Sequence, residues 1–392
     1  MIPYCQHRIR DEDREAVSKV LGSDRLTQGP MVAAFESGLR GATGARRAVA
    51  VSSGTSALQL ALQALGVGPG DEVLVPSLTF LATANAVLLA GARPVFVDVD
   101  PRTLMLDPDD LSRRVSPRTR GAIVVHYAGH VADLGALRAR LGSDRFLLED
   151  ACHALGALDH GRPVGSTSEV ACFSFHPAKH ITTGEGGAIV TRDECLADRC
   201  LRLREHGMER VPASFLGLGL PGAVRAEESG GWVYEMQSLS GNHRLPDFAS
   251  ALGLSQLSRL GENLAGRRRI AARYVERLAG DDRIECLHEA PETRSAWHLF
   301  PILLDVDRLE GGRAAVYAAL HAEGIGVQVH YIPIHLQPYY RERLGTRFGD
   351  LPNTEAAYLR LLSLPMFPDL EDSAQERVVE VLKRTLDRLG RR

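Results

Sequence analysis

Two segments near the middle of the chain carry residues whose types and spacing suit covalent chemistry on a carbonyl group. RFLLEDA (145–151) ends an apolar run at Asp150, and CFSFHPAK (172–179) places Lys179 five residues after Ser174. A buried carboxylate loses solvation energy unless it meets a cation, such as a protonated ring nitrogen. A lysine in a crevice, beside a glycine loop with room for a flat ligand, is suited to act as a Schiff-base nucleophile. A single lysine is more commonly a solvated surface residue, so its neighbours must decide between the two interpretations.

Further candidates follow two other apolar runs. SSGTSAL (52–58) lies between a predicted strand and a predicted helix. Its hydroxyls and backbone N–H groups would form a cup at the helix N-terminus, as in many phosphate sites. Ser and Thr are also routine helix caps, so this segment alone leaves both interpretations open. PSLTFLATAN (76–85) places Phe80 after the next strand, where it would cover the face of an aromatic ring.

The elements that position these residues alternate between strands and helices. Near-continuous apolar runs joined by helix-period segments indicate a mostly parallel sheet covered on both faces, in an α/β fold. Ligands of such sheets bind at the carboxyl ends of the strands. The last strands are too closely spaced for crossover helices, so part of the sheet is expected to be antiparallel. The seven predicted strands are residues 47–53, 72–76, 94–100, 121–126, 145–151, 170–175 and 187–191.

A second, smaller domain is expected after the sheet. Residues 212–231 are rich in Gly and Pro and predict a long loop, and 245–278 are strongly helical. Residues 296–304 and 325–332 predict strands of a smaller α+β domain, closed by a helix over about 372–389. We therefore expect a large domain over 1–250, including an N-terminal arm, and a small C-terminal domain over 251–392.

Composition and charge exclude several classes of protein. The 392 residues include 46 Lys and Arg against 49 Asp and Glu, for a net charge of −3, which argues against general nucleic-acid binding. No apolar run approaches the ~20 residues of a membrane span, and the first residues have no apolar signal segment. Six scattered cysteines without a CxxC pair indicate reduced thiols. We expect a cytoplasmic enzyme with no nucleic-acid or membrane partner.

Other motifs favour no additional site. GLGLPG (217–222) has GxGxxG spacing, but a dinucleotide site needs a strand before it and a helix after it, and the flanks are loop-like. The histidine pairs of HYAGH (126–130) and HPAKH (176–180) contain a glycine or a proline and no glutamate base. We therefore expect no metal site. Cys152 is interpreted as a small apolar filler rather than a nucleophile.

In combination, these motifs resemble those of fold-type I pyridoxal-phosphate enzymes, and more narrowly the DegT/DnrJ/EryC1/StrS family of sugar-nucleotide aminotransferases. The resemblance covers nearly the whole chain. The motifs in family order are SGTSAL, GARPVFVDVDP, EDACHALGA, FSFHPAKHITTGEGG, LREHG, QLSRL, HYIPIHLQPYY and LSLPMFP. The resemblance implies the fold of these enzymes, with pyridoxal 5'-phosphate (PLP) as cofactor.

The resemblance also implies the catalytic residues and the contacts of the cofactor. Lys179 would form the Schiff base and move a proton, and Asp150 would keep the pyridine nitrogen protonated. The remaining contacts would be Thr55, Ser56 and Ser174 at the phosphate, Phe80 on the ring, and His153 near the phenolic oxygen.

The same resemblance implies a homodimer with shared active sites. Asn242, in SGNHR (240–244), would reach the phosphate in the other subunit. His243 stands where the family carries an aromatic residue, and His130 stands where many members carry Gln. We expect the change at His130 to have no catalytic consequence.

The implied substrates are a nucleotide sugar and an amino-acid donor, which is commonly glutamate in the family. IPYCQ, SDRLTQGP, WVYEMQSLSGNHR and GIGVQVHYIPIHLQPYYR resemble members that act in pseudaminic acid biosynthesis, with a UDP-linked 4-keto-6-deoxy-N-acetylhexosamine as acceptor. Tyr4, His330 and Tyr331 supply aromatic and hydrogen-bonding surface for that sugar, although packing alone could explain each of them. The alternatives are a D-configured UDP sugar, a dTDP- or GDP-linked sugar, a PLP-dependent sugar dehydratase, or a non-catalytic protein on the same fold.

Overall fold

The computed structural model describes residues 1–217 and 232–390. Strands are numbered in chain order: β1 (Arg47–Val51), β2 (Glu72–Pro76), β3 (Arg93–Val97), β4 (Thr119–Val125), β5 (Phe146–Asp150), β6 (Leu158–Asp159), β7 (Arg162–Pro163), β8 (Val170–Ser174), β9 (Gly187–Thr191), β10 (Met208–Glu209), β11 (Glu235–Met236), β12 (Ile284–Cys286), β13 (Thr293–Arg294), β14 (Phe300–Leu304) and β15 (Leu361–Leu364).

The α-helices are numbered in the same way. They are α1 (Asp11–Leu21), α2 (Pro30–Thr43), α3 (Gly54–Ala64), α4 (Leu81–Leu89), α5 (Pro108–Arg114), α6 (Leu134–Leu141), α7 (Glu194–Arg204), α8 (Asp247–Leu257), α9 (Leu260–Leu278), α10 (Gly312–Ala322), α11 (Pro338–Leu344), α12 (Pro352–Arg360) and α13 (Asp372–Leu389).

Seven strands form one mixed sheet in the order β1-β9-β8-β5-β4-β2-β3. The pairs β2–β3, β2–β4, β4–β5 and β5–β8 are parallel, whereas β9 runs antiparallel to both β1 and β8. The predicted α/β class, the seven strands and the antiparallel portion are confirmed. Because β5 is central, its carboxyl end at Asp150 lies in the middle of the ligand-binding edge.

Alternating side chains of these strands pack against helices on opposite faces of the sheet. Val49 and Val51 belong to one apolar cluster with α3, α4 and α7. Ala48 and Ala50 belong to a second cluster with α2. Burial on both faces explains why the strands are apolar at nearly every position.

A smaller sheet, β12-β14-β15, lies in the C-terminal part of the chain. It shares an apolar cluster with α9, α10 and α13. The predicted strand at 296–304 is present in shorter form, but the prediction of a strand over 325–332 is wrong, and β15 takes its place. Ile325 and Val327 are buried in the cluster, which explains the apolar pattern, yet this segment makes only isolated bridges from Ile325 to Ile2 and from Gln328 to Ser363.

The predictions for the C-terminal helices, the domain boundary and the Gly-rich loop have different outcomes. The helical region 245–278 is two helices, α8 and α9, separated at Ser258–Arg259, whereas α13 matches its predicted range. The division at residue 250 stays a prediction, and that position falls inside α8. Residues 218–231, most of the predicted loop and of GLGLPG, lie outside the described residues.

Two general properties of the described chain bear on partners and chemistry. None of the helices within 1–217 and 232–390 has the length and apolar character needed to cross a membrane. All six cysteines are free thiols, and Cys172 and Cys200 are buried.

The N-terminal arm and α1 are attached by hydrogen bonds to the C-terminal part of the chain. Ile2 N donates to the Gly324 carbonyl over 2.8 Å, and Met366 N donates to the Tyr4 carbonyl over 2.9 Å. Further along, the fully buried carboxylate of Asp13 on α1 accepts hydrogen bonds from Arg259 at 2.7 and 2.8 Å and from Ser255 Oγ at 2.6 Å. These contacts join α1 to α8 and to the start of α9.

We expect Asp13→Asn to lower the free energy of unfolding by about 3 kcal/mol, because the substitution leaves Arg259 without its countercharge in a buried site. Urea denaturation followed by circular dichroism measures the change. Glu12→Gln, at an exposed position of the same helix, is the matched control and should change stability by less than about 0.5 kcal/mol. Equal stability of the two variants would contradict this account of α1 packing.

Candidate active site

A cavity of about 580 Å³ opens at the carboxyl ends of the central strands and extends to the N-terminal arm and the C-terminal part of the chain. Its walls include most residues that the sequence singled out. These residues are Tyr4, Thr55, Phe80, Asp150, His153, Ser174, Lys179, His330 and Tyr331. Ser56 and Asn242 do not line it.

Asp150 ends β5 with its carboxylate buried at the cavity. Thr83 Oγ1 donates to Asp150 Oδ2 over 2.8 Å, and the backbone N–H of Cys152 donates to Oδ1 over 3.3 Å. Thr79 Oγ1 lies 2.9 Å from Thr83 Oγ1 and continues the network. Within the described chain, no lysine, arginine or histidine forms an ion pair with this carboxylate. A buried carboxylate with hydrogen bonds but no cation fits a ligand that carries a protonated ring nitrogen.

Lys179 lies on the loop that connects β8 to β9. The loop is held by hydrogen bonds from Phe175 N to Gly186 O at 2.9 Å and from Lys179 N to His176 O at 2.8 Å. Burial lowers the pKa of Lys179, and the nearby Cys152 and Asp150 oppose this effect. The Nζ atom lies 3.3 Å from Nε2 of His298. An amine with a lowered pKa is a better nucleophile and base near neutral pH than the amine of a fully exposed lysine.

The segment before α3 forms the predicted cup. Ser53 caps the helix by accepting a hydrogen bond from Ser56 N over 3.0 Å, and Gly54 packs so closely on Ser174 that a Cβ there would lie 2.9 Å from Ser174 Cβ. Thr55 faces the cavity beside them. The N-terminus of this eleven-residue helix, together with these hydroxyls, suits a bound phosphate.

The Ser56 hydroxyl is engaged away from the cavity. Its Oγ lies 3.0 Å from both Ser52 Oγ and Ser53 Oγ, and 3.1 Å from His243 Nδ1. His243, which replaces the family's aromatic residue, therefore packs behind the cup. The role of Ser56 at the phosphate stays a prediction.

Phe80, His153 and Tyr331 surround the open part of the cavity. Phe80 is 56% exposed at the entrance, and its ring centroid is 5.8 Å from that of Tyr331. Tyr331 OH lies 3.2 Å from His153 Nε2, while the buried His153 Nδ1 has no partner in the described chain. Burial lowers the pKa of His153 far below its ordinary value, so the ring is neutral.

The remaining predicted residues occupy the outer wall or lie outside the cavity. The ring centroids of Tyr4 and His330 are 5.8 Å apart, and His330 Nδ1 is 2.9 Å from Ser363 Oγ. Burial lowers the pKa of His330 to about 4. Asn242 is exposed, and its Oδ1 accepts a hydrogen bond from Arg244 N over 3.2 Å. It does not reach the cavity of its own chain.

The sequence missed two groups that contact the principal residues. His298 lies in AWHLFPILL, which the apolar pattern assigned only to a strand. Thr83 lies in the first turn of α4, and its contact with Thr79, which precedes the helix, and with Asp150 had no signal in the sequence. No group of three or more His, Cys, Asp or Glu in the described ranges could hold a metal ion.

The site therefore combines in one cavity an anion cup, a buried carboxylate that has no cationic partner among the described residues, and a half-buried lysine with a lowered pKa. Such a set fits a phosphorylated aromatic ring that bears a basic nitrogen and a carbonyl carbon. Its chemistry would be the exchange of amines at that carbon.

Comparison with known proteins agrees with this chemistry. The SpsC protein of Bacillus subtilis, which takes part in spore coat polysaccharide biosynthesis, is 38% identical over 384 residues, covering 97% of this chain and 96% of SpsC. The sugar aminotransferase CalS13 of Micromonospora echinospora is 32% identical with a TM-score of 0.86, covering 98% of this chain and 100% of that one. PseC of Helicobacter pylori, an aminotransferase of pseudaminic acid biosynthesis, is 30% identical with a TM-score of 0.89, covering 99% of this chain and 99% of that one.

The sequence profile of one family matches almost the entire chain, from residue 7 to residue 383. This range includes both the sheet residues and the C-terminal residues that line the cavity. The chain belongs to the DegT/DnrJ/EryC1/StrS aminotransferase family.

Proposed function

We propose that this enzyme moves an amino group from L-glutamate to C4 of a UDP-linked 4-keto-6-deoxy-N-acetylhexosamine in the pseudaminic acid pathway. It is a sugar aminotransferase whose cofactor is PLP, as in similar structures solved in their PLP form. The observation that carries amino transfer is one cavity lined by both Lys179 and Asp150, whose carboxylate has no ion-pair partner in the described chain.

Different residues of the cavity would bind different parts of the cofactor. When bound, PLP supplies an aldehyde carbon that exchanges amines and a ring that withdraws electrons. Asp150 would keep a proton on the ring nitrogen, and Thr83 and the Cys152 N–H hold its carboxylate in place. Thr55, Ser174 and the N-terminus of α3 would bind the phosphate.

Lys179 would hold the cofactor through its amine and, once displaced by the amino donor, act as general base and acid. In that role its amine would take a proton from the donor carbon that bears the nitrogen, and the resulting ammonium would give that proton back to complete the transfer. This step requires an unprotonated amine, and burial of Lys179 favours that form. For the sugar ketone, the same lysine would carry out the two proton transfers in the opposite order.

The substrate proposal rests on the outer wall of the cavity. Tyr4, His330 and Tyr331 offer hydrogen-bonding groups and flat surface to a sugar nucleotide. The likeness to PseC supports the pseudaminic pathway, and the alternatives with a D-configured, dTDP- or GDP-linked sugar remain as outcomes of the substrate test. The family resemblance places His at the lysine position in sugar dehydratases, and the presence of Lys179 favours amino transfer.

We also propose that the active enzyme is a homodimer with shared sites. The exposed Asn242 follows directly after an exposed apolar segment that includes Trp232, Met236 and Leu239. Large apolar side chains that are exposed on one segment are typical of an interface between subunits. Asn242 would then approach the phosphate in the cavity of the other subunit.

We expect Lys179→Ala to lower turnover at least about 10³-fold, in the range for loss of a general base, and to remove the visible absorbance that PLP acquires on binding a lysine amine. Far-ultraviolet circular dichroism should be unchanged. Lys19→Ala, at an exposed position on α1, is the matched control. A Lys179→Ala protein that still exchanges amino groups between glutamate and a keto sugar would refute the role of this lysine.

The shared site can be tested by mixing two inactive variants, Lys179→Ala and Asn242→Ala. Random exchange of subunits places half of the molecules in mixed dimers with one intact site each, so about a quarter of the wild-type activity should return. Activity is measured after exchange has been verified by native mass spectrometry. No recovery after complete exchange would indicate that Asn242 acts in its own subunit.

The proposed substrate can be tested by comparing kcat/KM for the two UDP-4-keto sugars that differ in configuration at C5. We expect at least about a tenfold preference for the C5-epimerised sugar of L-arabino form, as one or two additional contacts in the transition state would give. Equal values, or a preference for the sugar that has not been epimerised, would refute the pseudaminic assignment and leave the aminotransferase assignment intact.

A further inference from the structure

A buried histidine outside the predicted set is in contact with the amine of Lys179. The Nε2 atom of His298 lies 3.3 Å from Lys179 Nζ, and the histidine is 5% exposed. His298 comes from the segment between β13 and β14, 119 residues further along the chain. Its ring also lies beside that of His153, with 4.3 Å between their centroids.

The backbone on both sides of His298 is firmly held. Ala296 N donates to the Gly129 carbonyl at 3.0 Å, and Leu299 N donates to the Ala128 carbonyl at 3.2 Å. The buried guanidinium of Arg267 donates to the carbonyl of His298 itself over 3.1 Å. These bonds hold the backbone of His298, and His180 Nε2, on the loop that carries Lys179, lies 3.1 Å from the carbonyl oxygen of Ala296. The contact between His298 and Lys179 therefore occurs between two well-fixed segments of the chain.

The other ring nitrogen indicates which atom of His298 carries the proton. The buried Nδ1 has no hydrogen-bond partner in the described chain. A buried N–H without an acceptor is rarer and more costly than a buried acceptor without a donor. The proton therefore belongs on Nε2, where it points at Lys179 Nζ. Nζ can accept this hydrogen bond only through a lone pair, which exists only when the amine is unprotonated.

We infer that His298 is a positioning residue that donates a hydrogen bond to the unprotonated amine of Lys179 and holds that amine ready in the cavity. The inference rests on the proposed role of Lys179. While the amine is not bound to the cofactor, His298 would keep it uncharged and oriented toward the cavity.

The groups that face Lys179 are consistent with an uncharged amine. Burial is the main cause of its lowered pKa, Arg267 acts in the same direction, and Cys152, Asp150 and Cys5 act against it. Asp150 already accepts hydrogen bonds from Thr83 and from a backbone N–H. Burial also lowers the pKa of every neighbouring histidine, and these are His153, His180, His298 and His330.

The chain permits a direct test, because it has only three lysines, at positions 19, 179 and 383. The full-length protein, freed of cofactor, is treated briefly with acetic anhydride at a series of pH values. Peptide mass spectrometry then gives the labelling rate of Lys179 relative to that of the exposed Lys19. We expect His298→Leu, which removes the donor at similar volume, to raise the labelling midpoint of Lys179 by about one pH unit and to slow its relative labelling at pH 7.5 about tenfold.

Two further variants make the result specific to the hydrogen bond. His298→Gln places an amide N–H near the position of Nε2 and should retain the wild-type midpoint. His130→Leu removes another buried histidine, which contacts Trp297 and does not line the cavity, and should also leave the midpoint unchanged. If His298→Leu loses the thermal transition of the wild type, His298→Asn, whose amide is too short to reach Nζ, takes its place with the same expectation.

An unchanged or lower midpoint in the leucine or asparagine variant would overturn the inference, because His298 would then stabilise the protonated amine or have no effect. The role of Lys179 is tested separately by adding PLP to the wild-type protein and to Lys179→Ala. If only the wild type gains visible absorbance while the labelling midpoints do not respond to His298, the role of His298 fails alone. If neither protein gains it, the proposed function fails.

Discussion

The structure must hold an amine and a carboxylate in one cavity with little access to water. The carboxylate of Asp150 is buried and Lys179 is half-buried, so both lose part of the solvation of bulk water, and neither finds a full countercharge in the described chain. The structure compensates with uncharged partners: the Thr83 hydroxyl and a backbone N–H at the carboxylate, and a neutral imidazole at the amine. Such partners orient the two groups without neutralising them, which leaves both available to a ligand.

The position of the Asp150 carboxylate follows from the strand order of the sheet. The walls of the cavity are joined by a separate buried network of hydrogen bonds. Ser77, just after β2, lies 2.7 Å from His335 Nδ1, and His335 Nε2 lies 2.9 Å from Glu355. This network links the loop that carries Phe80 to the segment that carries His330 and Tyr331. The entrance and the outer wall of the cavity are therefore held together, although they come from parts of the chain about 250 residues apart.

Arg267 has a similar role on the other side of the site. It is almost fully buried in α9 and donates to the backbone carbonyls of Trp297, His298 and Met366. Burial lowers its pKa to about 10, which still leaves the guanidinium charged at neutral pH. Buried arginines are costly unless their donors are satisfied, and here carbonyl groups of two segments satisfy them. One side chain thus connects the C-terminal core to the residue that contacts Lys179.

The sequence by itself determined the sheet and the residues at its carboxyl edge. Apolar periodicity is a local property, and it located all seven strands and the strand ends at Asp150 and Ser174. The partners of these residues were decided only by the tertiary structure. His298 lies 119 residues from Lys179, the segment 325–332 is apolar because it is buried and not because it is a strand, and β15 pairs across the small sheet. Contacts between distant segments depend on how the whole chain packs, and local patterns carry no information about them.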